Sequence, residues 1–148
     1  MNIGSKNGYP ASALSNFSPH PFVLDGVEIA SMEGFLQSLK FKNPEMQKYV
    51  CTLVGKMAKA KGREKNWWRD GYLYWKGCPI YRFGEVYQHL LDIAYEAMFK
   101  QSKSFRNALR ASGSATLVHT IGKTNTKETI LTQSEFCNRL MKLRERII

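Results

Sequence analysis

The sequence lacks the features that place a protein in a membrane or outside the cell. No apolar run approaches the roughly 18 residues that cross a bilayer, and the first residues, Met-Asn-Ile-Gly-Ser-Lys, lack the apolar segment of a secretory signal. We therefore expect a soluble, cytoplasmic protein that does not bind a membrane. Its 148 residues, 43% of them hydrophobic, are enough for one core, and we expect a single domain over residues 1–148.

Cysteine is scarce, and its spacing fits neither a disulfide framework nor a zinc site. Cys51, Cys78 and Cys137 are an odd number of thiols, which we expect to be reduced. We expect Cys51 and Cys137 to lie on helices and to face the protein core. The phosphate loop of P-loop nucleotidases and the strand-linked Gly-x-Gly-x-x-Gly motif are absent as well. The sequence thus predicts no cofactor and no metal.

Acidic residues are also few, since 12 Asp and Glu face 22 Lys and Arg, for a formal net charge of +10. Cations crowd between residues 56 and 69, at Lys56, Lys59, Lys61, Arg63, Lys65 and Arg69. This charge favours an anionic partner, a nucleotide or a nucleic acid, although a solvated helix surface explains a charged run equally well. Trp67 and Trp68 could offer aromatic faces for base stacking, or they could be residues of the core.

The stretch from Ser31 to Phe41 carries the most information. Read as a helix, it gathers Glu33, Gln37 and Lys40 within about 60° of one another, while an apolar stripe faces elsewhere. The stripe consists of Met32, Phe35, Leu36 and Leu39. One helix would therefore present an acid, an amide and an amine together. From spacing alone, a solvated Glu33–Gln37 pair with a nearby lysine is an equally ordinary interpretation.

Local signals in the first half of the chain predict helices and one hairpin. Asp25-Gly26 between two short β-type runs predicts a tight hairpin that leads into the Glu33 helix. Asn43-Pro44-Glu45 begins a helix that we expect to end at Gly62. The dense aromatic residues of 66–83 are interrupted by glycine and proline, and we expect a loop with short helical turns there.

The second half is also predicted to be mainly helical. Helical spacing runs from about Gly84 to Gln101, and a further helix ends at Gly113. Residues 115–121 and 128–131 flank a polar turn region and suggest a short hairpin. Thr132-Gln-Ser-Glu135 is a capping box for the last helix. The fold class is therefore mainly α, with a few short β-strands or hairpins.

Taken in order, these motifs resemble the NADAR (YbiA-like) family. The matching pieces are Ser15-Asn-Phe-Ser18, the hairpin, Ser-x-Glu-x-x-x-Gln-x-x-Lys-Phe from Ser31, Gly62-Arg63 and Leu-Met-x-Leu-Arg-Glu near the end. The resemblance covers nearly the whole chain. It implies a single-domain, YbiA-like helical fold and a hydrolase linked to NAD and ADP-ribose. Characterised members are N-glycosidases that act on a riboflavin-pathway intermediate or on ADP-ribose attached to guanine.

The resemblance also implies roles for individual residues. The acid and the Gln-x-x-Lys of the family map onto Glu33, Gln37 and Lys40, with Glu33 as acid/base or stabiliser of a cationic sugar. Lys40 would be a Schiff-base nucleophile, or a charged ligand of phosphate. The substrate would be an ADP-ribosyl adduct or a phosphoribosyl compound, free or carried on nucleic acid, and it would be bound by Asn16, Phe17, Gln37, Arg63 and Trp75. Trp67 and Trp68 compete with Trp75 for the family's tryptophan.

Two observations leave alternatives open. His119 ends an apolar, strand-like run, where its side chain could line a cleft, so it joins the predicted substrate-binding residues. The loop 122–127 lacks the acid and the Trp-Gly pair of typical members, although Asn125 or Glu128 could replace the acid. A non-catalytic module that binds ADP-ribose or nucleic acid is therefore the second hypothesis, and a small basic DNA-associated accessory protein is the third.

Overall fold

The computed structural model describes residues 1–147 and confirms a mainly α fold with short strands. Within these residues seven α-helices accompany two separate two-stranded antiparallel sheets. In chain order the elements are α1 Ala11–Leu14, β1 Phe22–Leu24, β2 Val27–Ile29, α2 Met32–Ser38, α3 Pro44–Cys51, α4 Gly55–Gly62, a 3₁₀ turn Trp67–Arg69, β3 Tyr72–Trp75, β4 Cys78–Tyr81, α5 Glu85–Gln101, α6 Lys103–Ala111 and α7 Gln133–Arg144. No helix in the described part is long and apolar enough to span a bilayer.

The first hairpin and α2 form as their sequences predict. Asp25 and Gly26 both adopt positive φ, 49° and 77°, as a primed two-residue turn requires. The chain then enters α2, where the Ser31 hydroxyl caps the helix by accepting a hydrogen bond from the Gly34 N–H at 3.0 Å. The same hydroxyl donates to the Leu53 carbonyl at 3.0 Å. These bonds fix the start of α2 against the segment that follows α3.

The apolar stripe of α2 lies at the centre of the core. Phe35, Leu36 and Leu39 are buried, and α2 packs against α3, α4 and α5. Burial of each such side chain contributes about 1.5–3 kcal/mol. A Cβ at Gly34 would lie 2.5 Å from the Leu53 carbonyl oxygen, so this glycine permits a close approach of helix and loop. The polar face of α2 is consequently held rigidly.

The predicted helix from Asn43 to Gly62 is in fact two helices. The N-terminal part is confirmed, since Asn43 caps α3 through the N–H groups of Glu45 and Met46. The chain breaks after Cys51 because the carbonyls of Cys51 and Leu53 turn toward the start of α2, and Gly55 then takes a positive φ of 57°. The helical spacing of apolar residues continues through this break, so the sequence pattern predicted one continuous helix.

Residues 66–83 contain a strand hairpin as well as the expected helical turn. Strands β3 and β4 pair Tyr72 with Tyr81 and Leu73 with Ile80, around a Lys76-Gly77 turn in which both φ angles are positive. Leu73, Trp75 and Ile80 lie in the core. The prediction of a loop was wrong because the glycines that interrupt helical spacing, Gly71 and Gly77, lie just before β3 and in the turn of the hairpin.

The hairpin predicted for residues 115–131 does not form. Val118 instead pairs in parallel with Asn2, through bonds from the Ile3 N–H to its carbonyl and from its own N–H to the Met1 carbonyl. The segment found a partner more than 110 residues away, which local turn signals cannot reveal. The capping box at Thr132–Glu135 is confirmed and begins α7.

Candidate functional site

A cleft of about 350 Å³ lies between the polar face of α2, the turn at Asn16-Phe17, α4 and the loop before α7. It collects seven of the eight predicted site residues, namely Asn16, Phe17, Glu33, Gln37, Lys40, Arg63 and His119. A larger depression of about 960 Å³ beside Phe41 and Lys65 is wider open. It lacks a buried ionisable group, so the smaller cleft is the candidate site.

Glu33 is the buried acid of this cleft. Its side chain is only 9% exposed, and its backbone N–H bonds to the Asn16 carbonyl at 3.1 Å. The carboxylate accepts a 3.0 Å hydrogen bond from Gln37 Nε2. Burial raises the pKa of Glu33, while this bond and the nearby charges of Lys59 and Lys40 lower it. A carboxyl with a raised pKa exchanges protons more readily near neutral pH than an ordinary carboxyl does.

Contrary to the prediction from spacing, Lys40 is not on the same helix as Glu33 and Gln37, because α2 ends at Ser38. The two turn residues that follow still bring the Lys40 side chain into the same cleft. The pKa of Lys40 is lowered from 10.5 to about 8, mainly because burial disfavours the ammonium. The charges of Lys59 and Arg63 contribute to this lowering, while the charge of Glu33 opposes it. At neutral pH a useful fraction of this amine is therefore uncharged and nucleophilic.

Gln37 is held between Glu33 and α4 by a glycine. A Cβ on Gly62 would overlap the Gln37 amide oxygen, so this position in α4 accepts no side chain without moving the amide. That oxygen is buried and has no hydrogen-bond partner within residues 1–147. Glycine is required at position 62 because it lets the Gln37 side chain lie against α4 while Gln37 Nε2 donates to Glu33.

Asn16 and Phe17 form the wall beside Glu33. The buried Tyr95 hydroxyl donates to Asn16 Oδ1 at 2.9 Å, which fixes the amide and leaves Nδ2 without a protein acceptor in the described part of the chain. The Phe17 ring lies 6.0 Å from the Lys59 ammonium. Asn16 can therefore donate a hydrogen bond to a ligand, and Phe17 offers an apolar surface beside a cation.

His119 lines the cleft, as the sequence hypothesis proposed. Its Nδ1 lies 2.8 Å from the Ile3 carbonyl, which can only accept, so Nδ1 carries the proton. The ring meets Phe136 edge to face, with centroids 5.3 Å apart. In the neutral ring, Nε2 is consequently the hydrogen-bond acceptor.

Trp75 is the one predicted site residue that the structure does not bring to the cleft. It is 7% exposed in the core, packs edge to face on Phe35 at 5.2 Å and donates from Nε1 to Asp25 at 2.7 Å. The tryptophan that lines the cleft is Trp67. Alternation along β3, with Leu73 and Trp75 on the core side, is the signal that could have separated them.

Sequence reasoning also missed Lys59 and Lys123 as cleft residues. Lys59 lies one helical turn before Arg63, and this i, i+4 spacing could have placed both cations on one face of α4. The loop before α7 carries Lys123 and Glu128 into the cleft. Of the two candidates for the missing loop acid, Glu128 lines the cleft, whereas Asn125 bonds through its side chain to the Lys127 N–H at 2.9 Å.

A buried ion pair holds this loop in place. Arg82 is 1% exposed, donates from Nε to the Thr129 carbonyl at 3.1 Å and forms a two-pronged pair with Glu135 at 3.0 and 2.6 Å. The Tyr87 hydroxyl donates to the Ile130 carbonyl. The loop residues Thr129 and Ile130, which line the cleft, are therefore fixed to α5 and α7.

Comparisons with known proteins agree with this architecture. Residues 8–145 match the family described as bacteriophage protein GP30.3. An uncharacterized 17.1 kDa protein from the Gp30-rIII intergenic region of Enterobacteria phage T4 is 41% identical over 147 residues, which cover 98% of this chain and 97% of that protein. The NMR structure of the E. coli protein YbiA matches with a TM-score of 0.63 and 21% identity, covering 99% of this chain and 83% of YbiA. The YbiA-like fold implied by the sequence motifs is thus confirmed.

Proposed function

We propose that this chain, which belongs to the bacteriophage protein GP30.3 family and has a YbiA-like fold, is a hydrolase of N-glycosidic bonds. The proposed substrate is a phosphorylated ribosyl compound in which the anomeric carbon is joined to a base nitrogen. One observation carries the proposal: the buried acid Glu33 and the low-pKa amine Lys40 share one cleft, beside the exposed cations Lys59 and Arg63.

The acid suits the charge that this reaction develops. When the bond between the anomeric carbon and the base nitrogen breaks, its electron pair leaves with the nitrogen and positive charge appears on the sugar ring. Ionised Glu33 stabilises that charge and accepts a proton as water attacks the anomeric carbon. The departing nitrogen takes up a proton, so the products are the free base and the free sugar.

Lys40 permits a covalent alternative. Its neutral amine would attack the anomeric carbon, the bond to the base would break, and opening of the sugar ring would leave an imine on Nζ. Water would then hydrolyse the imine and return the free amine. The pKa of about 8 supports this route, because a lysine with the ordinary pKa of 10.5 is almost fully protonated at pH 7.

The remaining residues suit the polar parts of such a substrate. The guanidinium of Arg63 can form paired hydrogen bonds to a phosphate or pyrophosphate, and Lys59 adds charge one turn away. Asn16 Nδ2 and His119 Nε2 can donate to and accept from ribose hydroxyls. A volume of about 350 Å³ is at the small end for ligand sites, so the cleft suits the reacting ribosyl unit, with the rest of the substrate along the basic rim.

The test is incubation with ADP-ribosylated guanine, with phosphoribosylamino intermediates of the riboflavin pathway and with NAD, followed by mass spectrometry of free base and free sugar. We expect release from at least one substrate. Glu33→Gln keeps the side-chain shape and removes the charge, so it should reduce turnover by about a hundredfold or more with binding largely kept. Release that Glu33→Gln leaves unchanged would refute the role of Glu33. Binding of ADP-ribose without release from any substrate would favour a binding module.

A further inference from the structure

A second surface, outside the cleft, exposes a row of aromatic rings. Leu73 and Ile80 face the core, so the neighbouring residues Tyr72 and Tyr81 face outward. Their ring centroids lie 5.4 Å apart, and Phe83 continues the row 5.3 Å from Tyr81. The three rings are 41%, 48% and 44% exposed. We call Tyr72, Tyr81 and Phe83 the aromatic face. Contiguous aromatic surface in water is typical of a binding site.

The chain that joins the cleft to this face adds another ring and a cation. Trp67 lines the cleft, whereas Trp68 is 58% exposed and has the Arg69 guanidinium 5.6 Å from its ring centroid. Trp68 precedes Tyr72 by four residues, so their Cα atoms are at most about 15 Å apart. A few nucleotides of a single strand span that distance.

The chain segment that contains the aromatic face carries more cations than acids, and this excess favours a polyanion. Residues 59–83 contain seven cations, Lys59, Lys61, Arg63, Lys65, Arg69, Lys76 and Arg82, against only two acids. Both acids are already engaged. Glu64 pairs with Lys61 at 3.0 Å, and Asp70 accepts a hydrogen bond from the Tyr72 N–H at 2.9 Å. Of the cations, Lys61 is paired with Glu64 and Arg82 is buried in its own ion pair. The five other cations still outnumber Asp70 and Glu85, the acid that follows Phe83 by two residues.

We propose that the aromatic face, together with Trp68 and Arg69, binds single-stranded nucleic acid. Bases would stack on the exposed rings, and phosphates would lie along the cations of α4 and the 3₁₀ turn. A duplex conceals the faces of its bases, so a single strand is the form that these rings recognise. This inference deepens the proposed function, because the strand would lead past Trp67 into the cleft, but binding at the aromatic face does not require hydrolysis.

The experiment measures the fluorescence anisotropy of a labelled, unmodified dT15 strand and of a duplex of equal length. We expect tighter binding of the strand, weakening with salt. The double variant Tyr72→Ala/Tyr81→Ala should bind the strand at least about tenfold more weakly, the effect of losing one or two base stacks. Tyr49→Ala is the matched control, since Tyr49 is an equally exposed tyrosine (52%) on α3 and is not part of the aromatic face. Trp68→Ala provides a second, independent loss, and thermal unfolding verifies that each variant folds.

Three results would overturn the inference. Parent protein that does not bind the strand removes it outright. Equal affinity of the parent and of both Tyr72→Ala/Tyr81→Ala and Trp68→Ala would mean that cations alone hold the strand, and equal affinity for the duplex would mean that base faces are not read. The anisotropy assay measures binding of an intact strand, whereas the hydrolysis assay measures released base. Failure of hydrolysis therefore leaves this test intact, and failure of this test leaves the hydrolysis assay intact.

Discussion

The amine of Lys40 has two candidate roles that predict opposite pH dependences. With a pKa of about 8, about a tenth of the amine is neutral at pH 7, roughly 300 times the fraction at the ordinary value. The lowered pKa corresponds to a destabilisation of the ammonium by at most about 3–4 kcal/mol relative to an ordinary lysine. A nucleophile needs the neutral form, so its rate rises with pH. A phosphate ligand needs the ammonium, so its affinity falls as pH rises.

The assay is kcat/KM between pH 6 and pH 9.5, with borohydride added during turnover in a parallel sample. If Lys40 attacks the sugar, the rate should rise about tenfold per pH unit below 8 and level off above it. Borohydride should then trap a sugar adduct on the peptide that contains Lys40. Lys40→Arg should abolish both effects, because a guanidinium stays protonated.

Two neighbouring charges supply internal controls. The Lys59 charge lowers the pKa of Lys40, so Lys59→Met should raise the midpoint of the pH profile. The Glu33 charge raises that pKa, so Glu33→Gln should move any residual activity to a lower midpoint. Three results together would refute the covalent route: a pH midpoint that Lys59→Met does not move, no trapped adduct, and activity that Lys40→Arg retains. Glu33 would then act on a water molecule.

Three further predictions test the surroundings of the site. Arg63→Ala should weaken ADP-ribose binding by about 1.5–3 kcal/mol, the range for a charge-assisted hydrogen bond, as measured by calorimetry at several salt concentrations; unchanged affinity would make Arg63 an ordinary solvated residue. Gly62→Ala should push the Gln37 amide away and remove a hydrogen bond that lowers the pKa of Glu33. The limb of the pH–rate profile that reports Glu33 should therefore move to higher pH, and a folded variant in which it does not move would contradict this. Arg82→Met should lower the free energy of unfolding by about 3–5 kcal/mol, because it leaves a partly buried carboxylate without its cation; urea denaturation that finds less than about 1 kcal/mol would speak against it.

The sequence predicted those parts of the fold that depend on neighbouring residues. The Asp25-Gly26 turn, the Asn43 cap and the capping box at Thr132 are each decided within four residues, and each is confirmed. The errors lie where a distant partner decides. The break before Gly55 exists because the Leu53 carbonyl bonds to Ser31, and Val118 pairs with the N-terminal segment.

The candidate site divides in the same way. Helical spacing placed Glu33 and Gln37 together because both lie on α2, and family resemblance added Asn16 and Arg63 from other elements. Neither could choose between Trp67 and Trp75, because that choice depends on which face of the β3–β4 hairpin meets the core. Nor could periodicity supply the lowered pKa of Lys40, which depends on burial and on cations from α4.

The contrast between the buried Arg82–Glu135 pair and the exposed cations of the cleft has a practical consequence for ionic strength. Added salt screens Lys59 and Arg63, which face solvent, but it hardly reaches a guanidinium that is 1% exposed. Ionic strength can therefore be varied to weaken ligand attraction while the wall of the cleft stays in place. A salt titration of this protein accordingly reports on recognition rather than on unfolding, and salt becomes a reversible way to release bound anions during purification.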